Sequence, residues 1–95
     1  MPRKREIEAA IAAHNDDDRE RLLLPPEAVR LLAIMFPKGP VYRRSVASLV
    51  AEGFDRRTVV RLLDGLVEVG FLSKEVGRRG VVGVYRLHLP PRGRR

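Results

Sequence analysis

The chain contains no cysteine and no tryptophan, and only three phenylalanines and two tyrosines. Without cysteine there is no disulfide framework and no thiolate to bind a metal or act as a nucleophile. The scarcity of rings leaves packing to aliphatic side chains. It also removes the stacking platform on which single-stranded nucleic acids are commonly read. Long hydrophobic runs are missing too. The apolar stretch Leu31 to Phe36 is far too short to span a bilayer, and no secretory apolar region opens the chain. These absences lead to the expectation of a soluble protein in a reducing, cytoplasmic setting, without a membrane, metal or cofactor requirement.

What is present is one small domain's worth of chain with a strong basic excess. At 95 residues such a chain buries about 60 to 65% of its unfolded surface, so its core is modest. The net charge of +7 implies an acidic partner. That charge is unevenly placed: residues 1–24 sum to −1 and residues 25–95 to +8. Arginine outnumbers lysine 16 to 3, which favours bidentate contacts to phosphate and base edges.

Punctuation divides the chain into an N-terminal helical arm (1–24), a main domain (25–90) and a basic tail (91–95). In the arm, Ile7, Ala10 and Ile11 have helical spacing over residues 4–14. Asp17 and Glu20 resemble a capping box for a further turn. The arm has too few apolar groups to fold alone, so it must dock on the domain, pair with a second copy or stay mobile. Pro25 and Pro26 then mark the start of a helix running to Phe36, with Pro37 as its stop. A short strand is expected at 41–43. A second helix carries Val46, Leu49 and Val50 and ends at Gly53, a position suited to a left-handed C-terminal residue. After a tight turn, Asp55 is placed to cap a third helix reaching about Gly70. Beyond it the period changes to alternation, predicting strands at 71–76 and 81–89 around a "GRRG" loop at 77–80.

The third helix carries the main functional signal. On a wheel, Val59, Leu62, Leu63, Leu66 and Gly70 form one stripe, while Arg57, Arg61, Asp64 and Glu68 lie opposite. The exposed face is basic in its first half and acidic in its second. Cations near a helix N-terminus oppose the macrodipole, and Arg57 and Arg61 at i, i+4 repel each other. Folding alone does not favour this order. A helix that enters the DNA major groove by its N-terminal residues does, with Arg56 and Thr58 flanking the row. Arg78 and Arg79 at the loop suit a narrow minor groove or the DNA backbone, and Arg43 and Arg44 suit backbone phosphate. A simpler reading keeps these arginines on a solvated face, neutralised by Asp55 and Asp64.

The element order resembles a winged helix-turn-helix domain, an α+β fold, mostly α, with three core helices and a β-hairpin wing. "TVVRLLDGLVEVGFL" is similar to the recognition helix and following strand of bacterial regulators of the multiple-antibiotic-resistance, arsenic-repressor and phenolic-acid-repressor types. "RRGVVGVYRLHLP" resembles their wing and returning strand. The resemblance covers about residues 25–90. It implies sequence-specific double-stranded DNA binding in transcriptional regulation, with helix 55–70 in the major groove and the 77–80 wing on the minor groove or backbone. It further implies that Arg56, Arg57, Thr58 and Arg61 read DNA and that Arg78 and Arg79 act from the wing. A nucleoid-associated location follows if the protein is bacterial. Those families dimerise through additional long helices; here only the arm and the first domain helix are on offer for a homodimer.

Other functions draw less support from the residues. His14, expected to end an exposed helix, and His88, expected on the outer strand face, assemble no catalytic group with a nucleophile, so no enzyme is expected. Asp16, Asp17 and Asp18 lack the spaced oxygen ligands of a calcium loop. The alternative is a winged-helix protein-interaction module in a replication, transcription or phage-related complex, docking through Val82 and Val84.

Overall fold

The structure, a computed structural model, describes residues 4–17, 19, 22–37, 39–43, 46–77 and 82–89. It is an α+β arrangement of four helices and a three-stranded antiparallel sheet. The helices are α1 (Lys4–Asp16), α2 (Glu27–Met35), α3 (Val46–Ala51) and α4 (Arg56–Glu68). The strands are β1 (Val41–Tyr42), β2 (Leu72–Val76) and β3 (Val82–Leu87), in the order β1-β3-β2.

The arm docks on its own chain. Ile7, Ile11 and His14 recur at helical spacing and all three are buried as α1 packs against α2. Asn15 fastens the connection: its Nδ2 donates to the Leu24 carbonyl at 2.9 Å, and the Leu24 amide donates to Oδ1 at 2.8 Å. This pair of bonds does for Leu24 what a neighbouring strand would do. The arm's buried isoleucines are therefore committed to this chain's core, and a homodimer through the arm would have to use other groups, such as the exposed Leu23.

One expectation for the arm is corrected. His14 does not end an exposed helix: it is 8% exposed, its Nε2 lies 2.6 Å from the Leu22 carbonyl, and its ring meets Phe71 edge-on at 5.8 Å. An imidazole can bury its apolar ring while one nitrogen is satisfied by a carbonyl. Of the further helical turn expected after Asp17, residues 18, 20 and 21, including Glu20 of the expected capping box, lie outside the described residues, and Leu22 to Pro25 are irregular. Asp17 accepts instead from the Arg19 amide at 2.9 Å and from the Arg19 guanidinium at 3.1 Å, a local turn that competes with helix. These contacts hold the Asp17 carboxyl below the ordinary carboxylate range.

In the main domain each helix ends where its chemistry dictates. Pro26 stands in helical conformation at the start of α2, and the Ala28 amide donates to the Pro25 carbonyl at 3.0 Å. At the other end the Phe36 backbone leaves the helix (φ −124°) just before Pro37. Gly53 has φ +104°, a left-handed conformation that a side chain would strain, and its amide donates to the Val50 carbonyl at 3.0 Å. Gly70 repeats the device at the end of α4, with φ +91°. There the Phe71 amide donates to the Leu66 carbonyl at 2.9 Å and the Gly70 amide to Val67 at 3.2 Å, so two end carbonyls are satisfied as Phe71 enters the core.

One core receives all four helices and the sheet. Ile7, Ile11, Leu31, Leu32, Leu49, Leu63, Leu66 and Phe71 belong to it, as do Leu72 and Leu87, which face each other across β2 and β3. Tyr42 packs edge-on against Phe36 at 6.3 Å and pairs with Tyr85 across β1 and β3. Of the strand expected at 81–89, Val82–Leu87 is strand and residues 88 and 89 are not, while residue 81 lies outside the described residues. Its partner expected at 71–76 begins one residue later, because Phe71 is taken by the helix end. A bulge between Glu75 and Val76 interrupts the register, locally increasing the hairpin's twist near its tip.

Candidate nucleic-acid interface

Why α4 orients as it does follows from its inner stripe. Val59, Leu62, Leu63 and Leu66 are buried, and this stripe fixes which residues point outward. Arg56, Arg57, Val60, Arg61 and Asp64 are exposed and, with Asp55, line one shallow groove along the helix. Asp55 caps the helix in extended conformation. Its Oδ2 accepts from the Thr58 amide at 3.1 Å and from the Thr58 hydroxyl at 3.3 Å.

The electrostatic state of the row is decided by what its arginines do not touch. Among the described residues, no acid makes an ion pair with Arg56, Arg57 or Arg61. Asp55 is occupied with the helix end, and Asp64 stands in the same groove without closing on a guanidinium. Three guanidinium groups therefore project from the first half of α4 with their donors open to solvent. Val60 lies among them and is 44% exposed, an aliphatic group on an otherwise charged face.

The first hairpin strand packs against this helix. Phe71 and Leu72 carry the chain directly from α4 into β2. Burial raises the Tyr85 hydroxyl above its ordinary pKa, and the Asp64 carboxylate adds to the effect. On the other side of the strand pair, Arg86 Nε donates to Glu75 Oε1 at 2.9 Å. That contact offsets one of the positive charges expected for this region.

The sequence-predicted site residues are thus placed unequally. Arg56, Arg57 and Arg61 come together on one face. Thr58 is half-buried with its hydroxyl turned to Asp55. Arg43 is exposed at the end of β1, beside a separate depression that also involves Tyr42, Ser48 and Glu52. Arg44, Arg78 and Arg79 lie outside the described residues, as does the Val82 side chain; Val84 is half-buried. His88 is half-buried too, with its Nε2 2.8 Å from Ser73 Oγ.

Sequence reading passed over Arg30. It is exposed on α2, and its guanidinium carbon lies 4.7 Å from the centre of the Phe54 ring, in the turn that leads into α4. No sequence spacing links these two residues, so their proximity emerges only in three dimensions. Val60, by contrast, falls on the exposed side of the same helical wheel that isolates the arginines.

No group of three or more potential metal ligands occurs among the described residues, and no helix among them is long and apolar enough to cross a membrane. The chain matches no protein-family model, no curated protein and no solved structure.

Proposed function

We propose that the protein is a winged helix-turn-helix module that binds double-stranded DNA, with α3, the Gly53 turn and α4 as its helix-turn-helix and the β2–β3 hairpin as its wing. The observation that carries this reading is the unpaired row of Arg56, Arg57 and Arg61 at the N-terminal half of an exposed helix. That half is the part of a recognition helix that enters the major groove. Guanidinium groups there can fork onto guanine O6 and N7 or onto phosphate, and Val60 between them suits the thymine methyl group. Asp64 and Glu68 follow where the helix would recede from the duplex, so their charge does little harm. Transcriptional regulation is the proposed role, and a nucleoid-associated location would go with it. A second copy bound through Leu23 and neighbouring groups would present a second helix to a half-site about one helical turn away.

The test is titration of a random-sequence duplex over a series of salt concentrations, with an acidic polypeptide as control. The expected result is a linear fall of log K with log salt, at a slope of about −0.9 per phosphate neutralised. Equal affinity and equal salt response toward the polypeptide would instead favour a general interaction module for acidic proteins.

A further inference from the structure

Arg30 stands apart from the arginines of α4 in sequence, yet it lies against the turn that leads into α4. Its guanidinium carbon lies over the Phe54 ring, 4.7 Å from the centroid, and a Cβ placed on Gly53 would lie 3.8 Å from Arg30 Nη2. The group is therefore held against the turn immediately before the α4 N-cap. Glu27, one turn earlier on α2, makes no ion pair with it, and neither does any other described acid. Phe54 is itself 7% exposed, so the ring is a fixed platform.

A ring face attracts the guanidinium through its quadrupole without accepting a conventional hydrogen bond, so with no described acid paired to Arg30 its N–H donors stay available. An arginine held this way loses less conformational freedom on binding than one that must be ordered from solvent. A phosphodiester presents the matching acceptors, since two oxygens on one phosphorus meet the guanidinium fork. The phosphate backbone of a duplex borders the groove that a recognition helix enters, and contacts to it fix register without reading sequence.

We infer that Arg30, held over the Phe54 ring at the turn before α4, forms a site for one backbone phosphate of the bound duplex and so fixes how α4 enters the groove. This assignment rests on the DNA-binding reading above and adds a third element, α2, to the interface.

The experiment compares the full chain with Arg30→Gln and Arg30→Lys in the same salt titration of random-sequence duplex. The Gln variant removes the charge at an exposed position. Its salt slope should become shallower by about 0.9, with a loss of roughly five- to tenfold in affinity near 0.1 M salt. The Lys variant keeps a point charge that can meet phosphate but loses the planar guanidinium; its slope should match the unaltered protein while affinity falls about two- to fivefold. A merely structural role for Arg30 would leave the slope unchanged in both variants. If the unaltered protein binds with a steep slope and Arg30→Gln keeps that slope, the Arg30 assignment is overturned and the DNA reading stands. If the unaltered protein shows no salt-dependent duplex binding, both fall together.

Discussion

Replacing Arg57 and Arg61 together with alanine should move affinity and stability in different directions. Both side chains are exposed on the outer face of α4 and neither is paired with an acid, so their removal opens no cavity and strands no buried charge. For folding, the change relieves an i, i+4 repulsion worth about 0.2–0.5 kcal/mol and an unfavourable interaction with the helix N-terminus of roughly 0.3–1 kcal/mol per charge. Alanine is also the better helix former. The variant should melt at the same temperature as the parent or slightly above it. For binding, the variant neutralises two fewer phosphates. At about −0.9 each, the salt slope flattens by roughly 1.8 and duplex binding weakens by roughly 60-fold near 0.1 M salt. Fluorescence anisotropy on a labelled duplex reads the affinity, and thermal denaturation followed by circular dichroism reads the stability. A variant with unchanged duplex affinity would refute the role given to this row. One in which affinity and stability fall together would show the arginines to be part of the fold instead.

Two further predictions probe the framework around that row. Ile11→Ala truncates a side chain only 4% exposed in the shared core, so it should cost about 2–5 kcal/mol in urea denaturation. A cost under about 0.5 kcal/mol would mean that α1 does not dock on its own chain in solution. The Tyr85 hydroxyl, raised above its ordinary value of 10.0 by burial and by Asp64, should ionise later than a free phenol in a Tyr42→Phe background, and Asp64→Asn should bring it part of the way back. The stability that Tyr85 contributes is present below pH 10.0 and is lost as pH rises through its folded pKa. Phenolate absorbance during an alkaline titration measures this. An Asp64→Asn titration that overlays the parent would separate β3 from α4.

Much of the scaffold was legible because it depends on local spacing. The stripe Val59, Leu62, Leu63 and Leu66, the cap at Asp55 and the left-handed Gly53 each follow from a few adjacent residues. The arm was harder to read. Its helix was evident from Ile7 and Ile11, but its docking depends on Asn15 reaching Leu24 and on His14 meeting Phe71, contacts that no short-range period encodes. The same holds for the site. Arg56, Arg57 and Arg61 could be grouped because one helix carries them. Arg43, read as part of a separate basic spot for backbone phosphate, lines a different depression, and Arg30 meets the turn before α4 through Phe54, a contact that no sequence spacing encodes.

Asp55 explains how α4 can hold three arginines near its start without losing its N-terminus. A carboxylate at the N-cap satisfies an orphan amide and carries the charge that the helix dipole favours there. Its contribution, about 1 kcal/mol, is of the same size as the penalty for the nearby cations. Because its oxygen is directed to the Thr58 amide and hydroxyl, it offsets their cost to the helix without closing an ion pair on any of them. Had the acid been placed at i, i+4 from an arginine, it would have stabilised the helix to a similar extent but occupied the guanidinium donors. Capping therefore separates the folding requirement from the binding one: the helix is stabilised from its end, and the outward donors remain available to a phosphate or a base edge.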